Sequence, residues 1–384
     1  MVRVGLQIAV VGAGVGGLTS ALSLSRQGHS VRVFEKGTEL REIGAAVSLW
    51  PNALAALDRV GIEGDVLSQG HWEEDGAIRS PSGSEFTSFN NSNLLILRTL
   101  LQHILLKSVD GVPIVLGARC IDVSSREGCP IVHLNDGGSF ECDLVVGADG
   151  IRSAVRRAIA PDDQPLRYSG VAAWRGIVRA PGLVTKAWLS VGGGLQFLGA
   201  PLTDDLVFWS PLVKLPEGQQ ADITDHRQFL SDLFSRWHEP IPTLLRLTPE
   251  VDYIPTEIYF RPPPKWLHKG RVVLVGDAAH PMTPDLGQGA CQAIEDAVVL
   301  GECLARRDSD VDAALAEFKS RRLSRVRRVV KEARQFGVLN AAKNLPVTLL
   351  RTGALRFTPA SFTEHRLSAI NSRKAFESQL LSVE

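Results

Sequence analysis

The chain has 384 residues, 42 basic and 42 acidic side chains, and five cysteines. That length exceeds one ordinary hydrophobic core and points to two domains. Zero net charge excludes a nucleic-acid binder or an acidic adaptor as a global reading. Scattered cysteines with neither a CxxC pair nor zinc spacing exclude a disulfide framework and fit a reducing, cytoplasmic compartment.

Leu6 to Val11 reads as a short apolar strand. Gly12, Gly14 and Gly17 follow, then a helix through Arg26 and a second strand, Val31 to Phe34, that ends in Glu35. This is a βαβ unit. Gly12 allows the tight turn, Gly14 lets backbone reach a pyrophosphate, and Gly17 lets the helix pack on the strand. Glu35 lies 23 residues after Gly12, where a carboxylate can accept hydrogen bonds from ribose hydroxyls. Residues 8–24 are apolar enough to resemble a signal segment. The glycines that interrupt them and the acidic strand end beyond favour a buried strand and helix, and no later apolar run is long enough to span a bilayer.

Small residues between Gly44 and Pro51 either press a loop against a ligand or make a plain strand-to-helix turn, with Asn52 expected to cap the next helix. Polar and glycine-rich residues 71–97 read as hairpin strands, an excursion into a second domain. Arg98 then opens a helix. An arginine there is unfavourable for the helix dipole unless it faces an anion, so Arg98 is either a phosphate clamp or a solvated charge. Residues 112–147 alternate strands and turns, with a hairpin at Asp136. The last of these strands ends in Asp149-Gly150, where Asp149 and Arg152 can meet cofactor phosphate or ribose.

Residues 166–260 have the composition of an antiparallel sheet, interrupted by a short helix from Asp225 to Trp237. Trp174, Phe197, Phe208 and Trp209 sit on its faces, where either core packing or a substrate cavity would suit them. Arg175 lies inside an apolar strand, so its guanidinium needs an anion or a polar cavity unless it alternates outward to solvent.

Residues 262–264, three prolines, mark the return to the first domain. An apolar strand from Arg271 to Gly276 leads to Asp277 at its carboxyl end, where ligands bind in open α/β sheets. Pro281 and Pro284 stiffen the loop, and Gly287 and Gly289 let backbone approach a ligand. From Ala290 the spacing is helical. A strand, a rigid glycine loop and a helix start suit a partly negative group, here the pyrimidine end of a flavin. Val311 to Gln335 reads as a long helix whose run of arginines is a solvated face, with Leu323, Val326 and Val330 packed inward. From Asn340 the chain reads as irregular.

Three separated motifs carry a resemblance: Gly12 to Gly17 with Glu35, Gly147 to Gly150, and Gly276-Asp277 with residues 283–289. Together they resemble the single-component FAD monooxygenases that hydroxylate aromatic compounds, nearest to the urate and salicylate hydroxylase branch. The resemblance implies an α/β fold: a Rossmann-like FAD-binding domain (1–72, 98–165 and 262–335) interleaved with an antiparallel-sheet substrate domain (73–97 and 166–261), and a helical C-terminal segment (336–384). It implies FAD with its ribose on Glu35, its pyrophosphate over Gly14 near Arg98, its ribityl chain on Asp277 and its ring edge at the Gly289 and Ala290 amides. Lys36, Ala46, Asp149, Pro284 and Gly287 complete the implied cofactor contacts.

The same resemblance implies NADH or NADPH as co-substrate, binding transiently near the middle motif. Oxygen then adds at flavin C4a and passes to an electron-rich ring carbon of a small aromatic or heteroaromatic substrate. Arg175 matches a position that in some members orients a phenolate. The tyrosine those members often pair with it is replaced here by Phe208 and Trp209, which implies a more apolar substrate. A monomer or homodimer, with no nucleic-acid partner, is expected. An epoxidase of an alkene or quinone-like compound, a plain nicotinamide dehydrogenase and a non-enzymatic flavin module are the alternatives. A flavin disulfide reductase is excluded by the absence of paired redox cysteines.

Overall fold

The structure, a computed structural model, describes residues 5–40, 45–308, 310–342 and 367–381. Its first sheet is built around β1 (Gln7–Val11), whose apolar residues are buried on both faces as in a covered parallel sheet. β1 lies between β2 (Ser30–Phe34) and β10 (Leu144–Gly147). The sheet continues to β6 (Ile114–Val115) on one side and to β17 (Val272–Leu274) and β16 (His268–Lys269) on the other. All pairs are parallel except β16 with β17. The glycine-rich turns after β1, β10 and β17 therefore leave three adjacent strands at the same carboxyl edge. A small antiparallel sheet of β7 (Cys120–Arg126), β8 (Cys129–Leu134) and β9 (Ser139–Glu141) carries the expected hairpin.

The second sheet has eight strands. β11 (Arg167–Arg179), β12 (Ala187–Gly192), β13 (Leu195–Pro201), β14 (Leu206–Lys214) and β15 (Ile254–Phe260) come from the long middle stretch. They join β4 (His71–Arg79) and β5 (Glu85–Leu97) through a parallel β12–β4 pairing, Ala187 opposite Gly76. β3 (Ala46–Leu49) ends the sheet by pairing with β5.

The helices fill the space between and around the sheets. α1 (Val15–Arg26) follows β1. α2 (Pro51–Arg59) and α3 (Glu63–Gln69) follow β3, α4 (Arg98–Ser108) follows β5, and α5 (Ala154–Ile159) follows β10. α6 (His226–Phe234) and α7 (Ile241–Leu247) cover the second sheet; α6 is capped by the Asp225 carboxylate, and α7 was not foreseen in the sequence. α8 (Gly289–Arg306) is buried along most of its length and packs on α1, where Gly301 leaves room for the Ser23 side chain. α9 (Val311–Asn340) packs on α8, and α10 (Arg373–Glu377) inserts Phe376 into the main core.

Two readings are corrected, and of the two roles left open for the sheet aromatics, three residues take core packing. Asn52 is no helix cap: α2 starts with Pro51 at its first position, which needs no amide donor, and the fully buried Asn52 side chain points elsewhere. The arginine run of α9 is not simply a solvated face. Arg322 is 0% exposed and Arg321 is buried, beside the buried Val326 and Val330 and a half-buried Leu323, because carboxylates on α8 and α9 pair with the guanidinium groups. Trp174, Phe197 and Trp209 do not face a cavity; they pack with Phe234, Leu244 and Tyr253 beneath α6 and α7. Side chains alternate along a strand, so each turns its back on the face that carries Arg175 and Phe208. Gly44 and the prolines at 346 and 359 lie outside the described residues.

Candidate FAD and substrate site

A cavity of 1990 Å³ runs from the carboxyl edge of the first sheet to the inner face of the second. At the β1–α1 turn, Gly12 has φ +105°, and a β-carbon there would lie 2.5 Å from the Ala148 carbonyl oxygen. Only glycine suits that position. At Gly17 a β-carbon would strike the Gly12 carbonyl oxygen, so this glycine serves by packing the helix on the strand and does not line the cavity. Gly14 has open space on its cavity side and begins α1 with no side-chain cap. The unsatisfied amides at that helix start suit a pyrophosphate.

Glu35 is fixed at the end of β2. Its Oε2 accepts from the Ala13 amide at 2.7 Å and its Oε1 from the Gly37 amide at 2.8 Å, and the side chain lines the cavity beside Lys36. Ala46 on β3 and Arg98 at the start of α4 line the same space. Asp149 lines it too, but both carboxylate oxygens are engaged by its own turn. Oδ1 accepts from the Ser153 hydroxyl, and Oδ2 accepts from the Ala154 and Val155 amides. This acid therefore builds the turn that faces the cavity. Burial raises its pKa against those hydrogen bonds.

The third turn closes the site. The Asp277 side chain is exposed to the cavity; desolvation raises its pKa, opposed by its neighbours His280 and Arg98. Pro284, Gly287, Gly289 and Ala290 follow along the wall. Gly287 has φ +61°, and α8 begins without a side-chain cap, leaving its first amides free. His280 is buried and hydrogen-bonded through Nε2 to Asp296 at 2.6 Å.

The far wall belongs to the second sheet. Ala173, Leu198, Ala200, Phe208 and Leu212 present an apolar surface, and Arg175 and Gln196 are set into it. Arg175 is half-buried and donates to the Thr256 hydroxyl at 3.2 Å. Burial lowers its pKa, and the nearby Arg98 charge lowers it further. A guanidinium so placed is under-satisfied and suits an anionic ligand.

The sequence reading missed the polar groups behind the loop: Asn52, Gln288, Gln292, Glu295, Asp296 and Arg322, all buried. A signal for them was present. Glu295 and Asp296 lie side by side between the apolar Ala293-Ile294 and Ala297 to Leu300, and buried acids demand cations.

The fold and cavity define a dinucleotide-binding protein whose second sheet walls the far end of the cavity. A profile for an NAD(P)-binding Rossmann-like domain matches residues 10–44, and one for an FAD binding domain matches residues 265–333. The chain is 36% identical to the aurachin C monooxygenase/isomerase of Stigmatella aurantiaca, over 95% of this chain and 97% of that one. It is 32% identical to the FAD-dependent urate hydroxylase of Klebsiella pneumoniae, over 89% and 92%. The crystal structure of Klebsiella pneumoniae HpxO with FAD and uric acid superposes with a TM-score of 0.87 at 29% identity, covering 97% of each chain. The chain belongs to the FAD-dependent aromatic monooxygenases.

The residues present fit FAD from end to end: a carboxylate for the ribose at Glu35, free helix amides at Gly14, and free helix amides again at Gly289 and Ala290. Among the described residues no helix is long and apolar enough to cross a membrane.

Proposed function

We propose that the protein uses NAD(P)H and oxygen to hydroxylate a small aromatic or heteroaromatic compound that carries an ionised oxygen or acid group and apolar substituents. The observation that carries this reading is Arg175: a guanidinium with one side-chain hydrogen bond to protein, set in an apolar wall of the cavity that also holds Gly289 and Ala290. A single ligand site usually occupies about 300–1,000 Å³, so 1990 Å³ leaves room for a dinucleotide and a second molecule together.

Bound FAD supplies the electron transfer and oxygen activation. The chain's own residues do the rest. Arg175 orients the substrate through its anionic group, with Thr256 fixing the guanidinium. Phe208, Leu198 and Leu212 hold the ring and keep water away from it. The Gly289 and Ala290 amides stabilise negative charge on the pyrimidine edge of the flavin. Asp277 would hold the ribityl chain as a hydrogen-bond acceptor. Urate, 6-hydroxynicotinate and 3-amino-4-hydroxybenzoate, which name the substrates of relatives 29–33% identical to this chain, are anions and support the assignment of Arg175.

Arg119, Arg152 and Arg157 are exposed and line the cavity beside the Asp149 turn. They support docking of the phosphates of NADH or NADPH there. Five free cysteines support a cytoplasmic setting.

The test is a panel of phenols, hydroxylated heteroaromatics and quinolones, scored by stimulated NAD(P)H consumption and by a product heavier by one oxygen. A hit that is anionic and loses stimulation in Arg175→Met supports the reading. Undiminished stimulation in that variant removes Arg175 from it. A product that carries its new oxygen as an epoxide assigns the alternative chemistry.

A further inference from the structure

Two adjacent carboxylates on α8 hold opposite ends of the loop that spans residues 276–289. Asp296 takes the first end. Its Oδ2 accepts from the Gly276 amide at 2.9 Å and from His280 Nε2 at 2.6 Å. Glu295 takes the second end through side chains. Its Oε1 accepts from Asn52 Nδ2 at 2.5 Å and from Gln292 Nε2 at 3.1 Å, and the same two nitrogens donate to Gln288 Oε1 at 3.0 Å each. Gln288 is the residue from which α8 starts, directly before Gly289 and Ala290.

The polarity of this arrangement is fixed by charge. Arg322 is fully buried and pairs with both acids, reaching Asp296 Oδ1 at 2.7 Å and Glu295 Oε2. Arg325 adds two bonds to Glu295, at 2.6 and 2.7 Å. An ionised carboxylate only accepts, so Asn52 must turn its amide nitrogen toward Glu295. Arg322 Nη2 donates to Gln292 Oε1 at 2.9 Å, which turns the Gln292 nitrogen the same way. With both nitrogens also directed at Gln288 Oε1, the Gln288 side chain has one orientation. The ions thus fix the donor side of Asn52 and Gln292 and the acceptor side of Gln288, while Asn52 Oδ1 and Gln288 Nε2 stay buried without a hydrogen-bond partner.

We infer that Glu295 and Asp296 are positioning residues that set the two ends of the cofactor loop separately. Asp296 fixes the end that carries Asp277. Glu295, through Asn52, Gln292 and Gln288, fixes the free amides of Gly289 and Ala290. The inference rests on the FAD reading above. It predicts that the two ends fail differently. Loosening the Glu295 end weakens stabilisation of the negatively charged reduced flavin, while loosening the Asp296 end weakens the grip on the whole cofactor.

The experiment titrates apoprotein with FAD and then equilibrates the holoprotein with a redox dye. Asn52→Leu is expected to shift the oxidised-to-reduced flavin ratio at least tenfold toward oxidised, about 30 mV for a two-electron couple, with the Kd for oxidised FAD within threefold of wild type. Gln292→Met repeats the test if Asn52→Leu does not fold. Asp296→Asn is expected to raise the Kd for FAD at least tenfold with the redox ratio within twofold. The inference is overturned if the folded Asn52 or Gln292 variant keeps the wild-type ratio within twofold. It is also overturned if variants at the two ends move both quantities alike, since that describes one common loosening. Failure of wild-type apoprotein to take up FAD removes the FAD reading itself.

Discussion

Gly337 on α9 comes so close to Asp285 that a β-carbon on the glycine would lie 2.5 Å from the carboxylate Oδ2. The helix can meet the flavin loop there only because it presents no side chain. The Asp285 pKa is raised by burial, against the neighbouring Thr283 hydroxyl, Gln196 amide and Arg334 charge. Gly337→Ala gains about 1 kcal/mol of helix propensity but forces a clash of about 1–3 kcal/mol. We expect a net loss of stability and a weaker hold on FAD. Asp285→Ala in the same chain should relieve the clash, so a double-mutant cycle on urea unfolding should show coupling of about 1 kcal/mol or more. Additive effects would mean that the contact does not constrain the loop.

The two faces of β14 can be told apart by neighbouring substitutions. Phe208 faces the cavity, whereas Trp209 is fully buried and donates from Nε1 to the Thr248 hydroxyl at 2.9 Å. Trp209→Ala should cost about 3–5 kcal/mol of stability. Phe208 is itself buried in a smaller apolar cluster, so Phe208→Ala should also lose stability, but only this variant should in addition raise KM for the substrate. Thermal unfolding and steady-state kinetics on both variants separate the outcomes, and a reversed pattern would place the cavity on the other face.

Arginine 175 should matter for substrate and little for cofactor. Losing a charged hydrogen bond is worth about 1.5–3 kcal/mol, or roughly 10- to 160-fold in kcat/KM. Arg175→Met is expected to lose that much while the Kd for FAD stays near wild type. An equal loss in FAD affinity would contradict the assignment.

The buried acids of α8 give a pH signature. Burial alone would raise both carboxyls, but Arg322, with Arg325 beside Glu295 and His280 beside Asp296, overrides it and leaves each at about 2. Their ordinary values are 4.5 and 3.8. Both folded values are depressed, so the stability they contribute is complete above the ordinary values and is lost as pH falls toward 2. Urea unfolding between pH 6 and 3 should show stability falling below about pH 4.5, and Glu295→Gln should flatten that fall. The same slope in variant and wild type would assign the acid sensitivity to other groups. Arg322→Met should be far worse than either, about 3–5 kcal/mol, because it leaves buried acids without their shared cation.

The local parts of this fold were legible in the sequence, and the long-range parts were not. The glycine spacing from Gly12 to Gly17 and the acid at Glu35 encode a βαβ turn within one short segment, and the structure builds it there. Trp174 precedes Arg175 on β11 and Trp209 follows Phe208 on β14, so the two-residue period of the sheet allows only one of each pair to point toward the cavity face, and the sequence left that choice open. The orientation depends on which face α6 and α7 cover, and that is not written in the strand. Arg322 was hidden for a similar reason. Its partners lie 26 and 27 residues away on α8, and Gln379 from the C-terminal end completes the pairing. Within a run of arginines, only helix packing decides which one is taken inside.

The most direct test is a titration of apoprotein with FAD, followed by absorption in the near-UV and blue. One cavity lined by three turns of the first sheet should take up one FAD per chain, with a spectrum perturbed from that of free flavin. Gly14→Val, which fills the open space over the α1 amides, should abolish uptake while leaving the chain folded. Folded wild-type protein that stays colourless at saturating FAD would contradict the account.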